Sequence, residues 1–212
     1  MTRGRFIAFE GGEGMGKSTQ ARLLADWLQR DGVTVELTRE PGGTSGAEAI
    51  RNLLLSPPGE GWTPEAEALL FAAARADHVA RRIRPALEAG SWVVCDRFID
   101  SSRAYQAIAG GLGDDKVSQL HRIGSAGLLP DLTLLIDAPN DAVAARLAKR
   151  DGGASDAIGG RAADYHAAVN AAFRDFAHAE LDRFAVIDGS GSIEEVHQQV
   201  VAAISQRFEV TA

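Results

Sequence analysis

Lys17 and Ser18 close the run Gly11-Gly-Glu-Gly-Met-Gly16, and this order of residue types is suited to gripping a chain of phosphates. Gly11, four residues, then Gly16, Lys17 and Ser18 fit the pattern G-x-x-x-x-G-K-[ST]. Glycines at Gly11, Gly12, Gly14 and Gly16 tolerate backbone angles that a Cβ forbids. The N–H groups from Gly11 through Glu13, Met15, Lys17 and Ser18 to Thr19 can therefore converge on one anion. Lys17 is long enough to reach β- and γ-phosphates, Ser18 offers a hydroxyl to Mg²⁺, and a helix starting near Lys17 adds its positive end. The alternative is a chance glycine turn ahead of an ordinary helix. Against it, Phe6 to Phe9 read as a buried strand, and Ala21, Leu24, Ala25 and Leu28 recur at helical spacing.

Further candidates lie along the chain. Thr38-Arg-Glu-Pro-Gly-Gly-Thr44 cannot be helical at Glu40, which precedes proline, and its glycines let a ligand approach the backbone; a flexible connection remains the other reading. Thr63 caps a helix with Pro64 at its first position, expected to run through Leu87 and end at Gly90. Phe71, Arg75 and His78 are spaced four and three along it and share one face. A strand from Ser91 to Cys95 ends in Asp96-Arg97.

These residues need a frame. Strands are expected near Phe6–Phe9, 33–37, 91–95, 132–136 and 184–187. Four of them run directly into Glu10, Asp96, Asp137 and Asp188. Acids gathered at the carboxyl edge of a parallel sheet mark where such folds bind ligands, although each alone suits a helix cap or an ion pair, the reading preferred for Asp188. The expected architecture is a three-layer α/β/α P-loop fold, with a five-stranded parallel sheet and helices on both faces. One domain is expected to span residues 1–212. A helix from Pro139 should carry Arg146, Lys149 and Arg150. The glycine-rich stretch Asp151–Gly160 has few packing side chains and suits a mobile lid, about residues 147–161. Arg161 to Phe176 and Ile193 to Phe208 resume helical spacing.

Composition narrows the function. A net charge of -7 argues against a nucleic-acid coat, since phosphate backbones are held by clustered positive surface. Small phosphorylated ligands need only local arginines, and only three of the 22 basic residues are lysine. Cys95 is the single cysteine, so a Cys-based metal cluster and an internal disulfide are excluded. No run approaches the ~18 apolar residues of a membrane span, and Met1-Thr-Arg-Gly-Arg5 resembles no signal peptide. A cytoplasmic protein without membrane or nucleic-acid partners is expected. A guanine-nucleotide switch would carry Asn-Lys-x-Asp, yet none of Asn52, Asn140 and Asn170 precedes a lysine.

Taken together, Phe9–Thr19, Thr38–Thr44, Leu70–His78, Asp96–Gln106 and the lid after Arg146 resemble the thymidylate kinases, which move the γ-phosphoryl of ATP to dTMP. The resemblance covers nearly the whole chain. It implies that Phe71 stacks on thymine, Arg75 donates to its O4, and Arg39 with Arg97 holds the acceptor phosphate. Tyr105 would lie under the deoxyribose, Ser102 and Gln106 beside the nucleoside, and Glu13 near the acceptor's sugar and phosphate. Asp96 would bind a Mg²⁺-bound water beside Ser18 and steady Arg97, and the family implies a homodimer. The runner-up is another P-loop nucleotide or deoxynucleoside kinase, with Glu40 as base. Paired Arg39 and Arg97 argue against it, because they suit an acceptor already charged.

One feature departs from the family. Relatives without a P-loop arginine carry one in an Asp-Arg-Ile-Glu lid segment; this lid reads Asp156-Ala-Ile-Gly159, which puts Ala157 at the arginine position. Arg161, Arg146 and Arg150 are the candidates to replace it, and Arg161 is preferred because Gly159-Gly160 would let it fold over ATP. The bland alternative is an Arg161 left in solvent at a helix start.

Overall fold

The computed structural model describes residues 3–139, 143 and 157–208. The strands are β1 (Phe6–Glu10), β2 (Val35–Arg39), β3 (Trp92–Asp96), β4 (Leu132–Asp137) and β5 (Phe184–Asp188). All pairings are parallel, in the order β2-β3-β1-β4-β5. Every residue of β1 is buried, as expected where helices cover both faces of a parallel sheet.

The strand period of two sorts the core into opposite faces. Ile7 and Phe9, with Val94, Leu134 and Ile136, pack against Leu24 and Leu28 of α1 (Lys17–Arg30) and Val196, Val200 and Ile204 of the closing helix. Phe6, Ala8, Val93 and Cys95 face the other way, onto Ile83, Leu87, Phe98 and Val117. Truncating a ring such as Phe9 to alanine is expected to cost about 3–5 kcal/mol.

The second layer holds α2 (Ser45–Leu55), α3 (Pro64–His78), α4 (Arg84–Glu88), α5 (Ile99–Ser102) and α6 (Asp114–Ser125). Thr44 and Thr63 cap α2 and α3 by accepting from Ala47 N and Ala66 N. The last helices are α7 (Ala163–Ala179) and α8 (Ile193–Phe208).

The helix expected to run unbroken to Leu87 widens into a π turn at Val79–Ile83. Pro85, just beyond it, lacks an N–H and crowds the preceding turn, and a wide turn absorbs both defects. A second π turn, Arg103–Ala109, carries Tyr105 and Gln106. The polar side chains around it are buried, with Asp100, Ser102 and Gln106 all enclosed. The expected helix with Arg146, Lys149 and Arg150, and most of the lid, lie outside the described residues.

Candidate active site

Register alone brings the acids to one edge: Phe9 pairs with Asp96 and with Leu134, Arg39 with Asp96, and Asp137 with Asp188. They then divide by role. Asp137 pairs with Arg174 at 2.8 Å and Asp188 caps its own turn by accepting from Ser190 N, so both are structural. Glu10 is fully buried and accepts from Phe98 N, Ser101 N and Ser101 Oγ at 2.8, 3.0 and 2.6 Å. It thus ties the segment after β3 to β1. Burial, then the neighbouring Asp100 charge, pushes its carboxyl up to about 7.

The glycine-rich turn lies between two cavities. One, of about 310 Å³, is bounded by Glu13, Arg39, Phe71, Arg75, Arg97 and Tyr105, among others. The second, of about 540 Å³, runs along Met15, Gln20 and Arg22 to Gly191, Ser192 and Ile193. Gly14, Lys17 and Ser18 line both. Close packing holds the turn against the sheet: a Cβ on Gly11, whose φ is +134°, would lie 2.4 Å from Ile136 O. Gln20 Nε2 donates to Ile193 O at 2.9 Å, tying α1 to the far wall of the second cavity.

Lys17 is buried and its ammonium donates to Gly12 O. Burial, then the nearby Arg97 charge, lowers it to about 7 despite the acids around it. Arg97 is one of two described non-glycine residues with positive φ, at 70°, a conformation that costs on the order of 1–3 kcal/mol. That backbone turn sends its guanidinium into the cavity, donating to Gly11 O (3.3 Å), Ser101 Oγ (3.1 Å) and Tyr105 Oη (3.4 Å). Glu13 Oε1 lies 3.8 Å away. Arg39 is more exposed and pairs with Glu48 at 3.2 Å.

Ser18 Oγ bonds Asp96 Oδ2, and Asp96 Oδ1 is buried with no hydrogen-bond partner among the described residues. That oxygen pair fits Mg²⁺, which uses one or two protein oxygens and takes the rest from water and substrate phosphates. Among the described residues no group of three or more acidic, histidine or cysteine side chains could hold a metal ion.

Phe71 and Arg75 form the opposite wall, with Ser102 and Gln106 beside them. Gln106 Nε2 donates to Glu67 Oε1 at 2.8 Å. Glu67 also holds Arg161, which reaches Tyr165 Oη as well, and Tyr165 Oη donates to Tyr105 O at 2.7 Å. Arg161 is thus neither left in solvent nor beside Lys17: a carboxylate that sequence reasoning passed over has drawn it in. Ile158, in a stretch read as poor in packing side chains, is buried against the acceptor-side cavity. Glu10 stood among the acids read at the sheet edge, whereas Glu67 had no motif to flag it.

Two cavities sharing one phosphate grip at the carboxyl edge of a parallel sheet define a P-loop phosphotransferase, an enzyme that brings a nucleotide donor and a second substrate together. A family model described as thymidylate kinase matches residues 9–200. The chain is 55% identical over 202 residues to a thymidylate kinase of Rhizorhabdus wittichii, covering 95% of this chain and 97% of that one. It is 48% identical to one of Symbiobacterium thermophilum, covering 92% and 90%. A crystal structure of thymidylate kinase from Ehrlichia chaffeensis superposes with TM-score 0.78 at 34% identity, over 95% of this chain and 99% of that one. The chain belongs to the thymidylate kinase family, and it is a kinase.

Proposed function

We propose that the protein transfers the γ-phosphoryl group of ATP to the phosphate of dTMP, giving dTDP and ADP. The observation that carries this reading is the pair of adjoining cavities with Lys17 and Ser18 common to both. ATP would lie along the larger with its phosphates in the turn, and dTMP would fill the smaller. Phosphoryl transfer asks little covalent chemistry of the protein, so alignment and positive charge around the moving group supply the rate.

In this reading Lys17 meets the β- and γ-phosphates, while Arg97 and Arg39 hold the acceptor phosphate. Phe71 stacks on the base, Arg75 donates to O4, Tyr105 fills the space under the deoxyribose, and Ser102 and Gln106 border the nucleoside. Glu13 would steady Arg97 near the acceptor. Ser18 and Asp96 would hold Mg²⁺, which when bound neutralises phosphate charge. Arg161 would leave Glu67 and turn to the phosphates. Glu40 is disfavoured as the base of a nucleoside kinase, because it is 5% exposed and both its oxygens are engaged.

A homodimer is inferred as well: Leu69 on α3 and Ile123 on α6 are 56% and 84% exposed. A cytoplasmic setting is consistent with the single buried thiol of Cys95. Among the described residues no helix is long and apolar enough to cross a membrane. The test of the transfer is isotopic. Label on the γ-phosphate of ATP should appear in dTDP; release as inorganic phosphate with or without dTMP would contradict the proposal.

A further inference from the structure

Behind the nucleobase wall runs a buried chain of side chains that the phosphate grip does not use. Glu40 Oε2 accepts from Arg75 Nε at 2.7 Å, Glu40 Oε1 lies 3.0 Å from His78 Nδ1, and His78 Nε2 lies 2.7 Å from Thr38 Oγ1. All four residues are at most 7% exposed, and His78 is wholly enclosed. The loop after Glu40 closes over the chain only because Gly43 has no side chain. A Cβ there, at φ +91°, would sit 2.5 Å from His78 Nε2 and 2.7 Å from Thr38 Oγ1.

Arg75 is consequently held on two sides. Its Nε goes to Glu40, and its Nη2 donates to Ser102 Oγ at 2.8 Å and Phe98 O at 3.3 Å. Its Nη1 makes no hydrogen bond among the described residues, and Arg75 lines the acceptor cavity. A guanidinium fixed in this way presents only donors to whatever base edge faces it. A carbonyl there completes a bond; an amino group opposes donor to donor. A loosely held guanidinium could swing aside and let the amino group pass.

We propose that Glu40, backed by His78 and Thr38, is a positioning residue. It clamps Arg75 so that Nη1 alone faces the acceptor base, and this clamp sets the preference for a base carbonyl over a base amino group. The inference rests on reading this cavity as the site of a pyrimidine nucleotide. Burial by itself would raise the Glu40 carboxyl, but Arg75 and His78 outweigh it and hold it below its ordinary value, which keeps the clamp charged.

Glu40→Gln preserves the shape of the clamp and removes its charge. Kinetic constants for dTMP and dCMP, KM for ATP and the melting temperature should be measured on this variant, on Thr38→Val and on the unmutated protein. Glu40→Gln is expected to lower the dTMP to dCMP ratio of kcat/KM about tenfold, the scale of one buried polar mismatch, through a raised KM for dTMP. KM for ATP should stay within about twofold. Thr38→Val, which touches Arg75 only through the relay, should move the ratio the same way by about two- to threefold. A folded Glu40→Gln with an unchanged ratio overturns the proposal. So does a fall in kcat with KM for dTMP unaltered, which would make Glu40 a participant in transfer. If Glu40→Gln does not fold, Thr38→Val decides, and an unchanged ratio there overturns the clamp. An unmutated protein that prefers dTMP no more than dCMP fails the nucleotide reading itself, and the clamp falls with it.

Discussion

The two halves of the active site are built from different materials. On the proposed donor side the grip is backbone: glycines, N–H groups and the first turn of α1, with Lys17 as its main charged side chain, donating to Gly12 O. On the acceptor side the walls are side chains from distant segments, locked before any ligand arrives. Arg75 is clamped by Glu40 at 2.7 Å and Gln106 by Glu67 at 2.8 Å. A backbone grip accepts any polyphosphate, whereas a pre-locked wall discriminates. In the proposed reading, recognition of one monophosphate among many belongs to the second half.

Arg161 is bound to Glu67, which also holds Gln106 of the acceptor wall, yet it is proposed to serve the donor. An arginine finger can be worth about 10³–10⁵ in rate, so Arg161→Ala should lower kcat on the order of 10³-fold. If that variant matches the unmutated enzyme while Arg146→Ala or Arg150→Ala collapses, the finger comes from the earlier segment. If Ala157→Arg alone speeds the enzyme greatly, the lid has no substitute.

Next in size is Lys17. Removing one group that stabilises developing charge costs on the order of 10²-fold or more, so Lys17→Ala should lose most of kcat. An undiminished turnover would remove Lys17 from its role.

For the acceptor half, Arg75 facing the cytosine amino group should cost dCMP about tenfold or more in kcat/KM, from a mismatch of roughly 1–3 kcal/mol. Arg75→Ala should abolish that difference. Equal values for dTMP and dCMP in the unmutated enzyme would show that the wall does not read the base.

The smallest effect concerns pH. Burial, then the Arg97 charge, lowers the Lys17 ammonium to about 7 in the free protein, so it gives up its proton more readily than an ordinary lysine as pH rises towards 8. Bound phosphate favours the charged form and raises the value again, so ATP binding should take up protons near pH 8. Since kcat/KM follows the free enzyme, it should fall by about fivefold for ATP from pH 7 to 8, while kcat changes less. Calorimetry in buffers of different ionisation enthalpy would detect the uptake, and its absence would mean that Lys17 stays charged.

The same contrast governs what could be read from the residues. The donor half was legible because a local pattern encodes it: Gly11 to Ser18 are contiguous, and the strand and helix they require stand on either side. The strands were legible for a similar reason: β1, β3 and β4 are short, largely buried apolar runs, and the alternation of 33–37 marked an edge strand, which the structure places two residues later at Val35–Arg39. The acceptor half depends on pairs such as Glu40 with Arg75 and Glu67 with Arg161, separated by 35 and 94 positions. No spacing rule links residues across such distances, so Phe71 and Arg75 could be placed on one helix face while their supports could not. The π turn at Val79–Ile83 escaped because periodicity tolerates a one-residue slip that hydrogen bonding does not.

The central claim is that a general phosphate grip serves a selective monophosphate site. It is tested most directly by a coupled assay of ADP release with ATP, Mg²⁺ and a panel of dTMP, dCMP, dGMP, the ribose form of TMP, thymidine and dTDP. dTMP should give the highest kcat/KM, dCMP about tenfold or more below it, and thymidine, lacking the phosphate that Arg39 and Arg97 are proposed to hold, should be poor. Equal turnover across the monophosphates, or thymidine used better than dTMP, would contradict it.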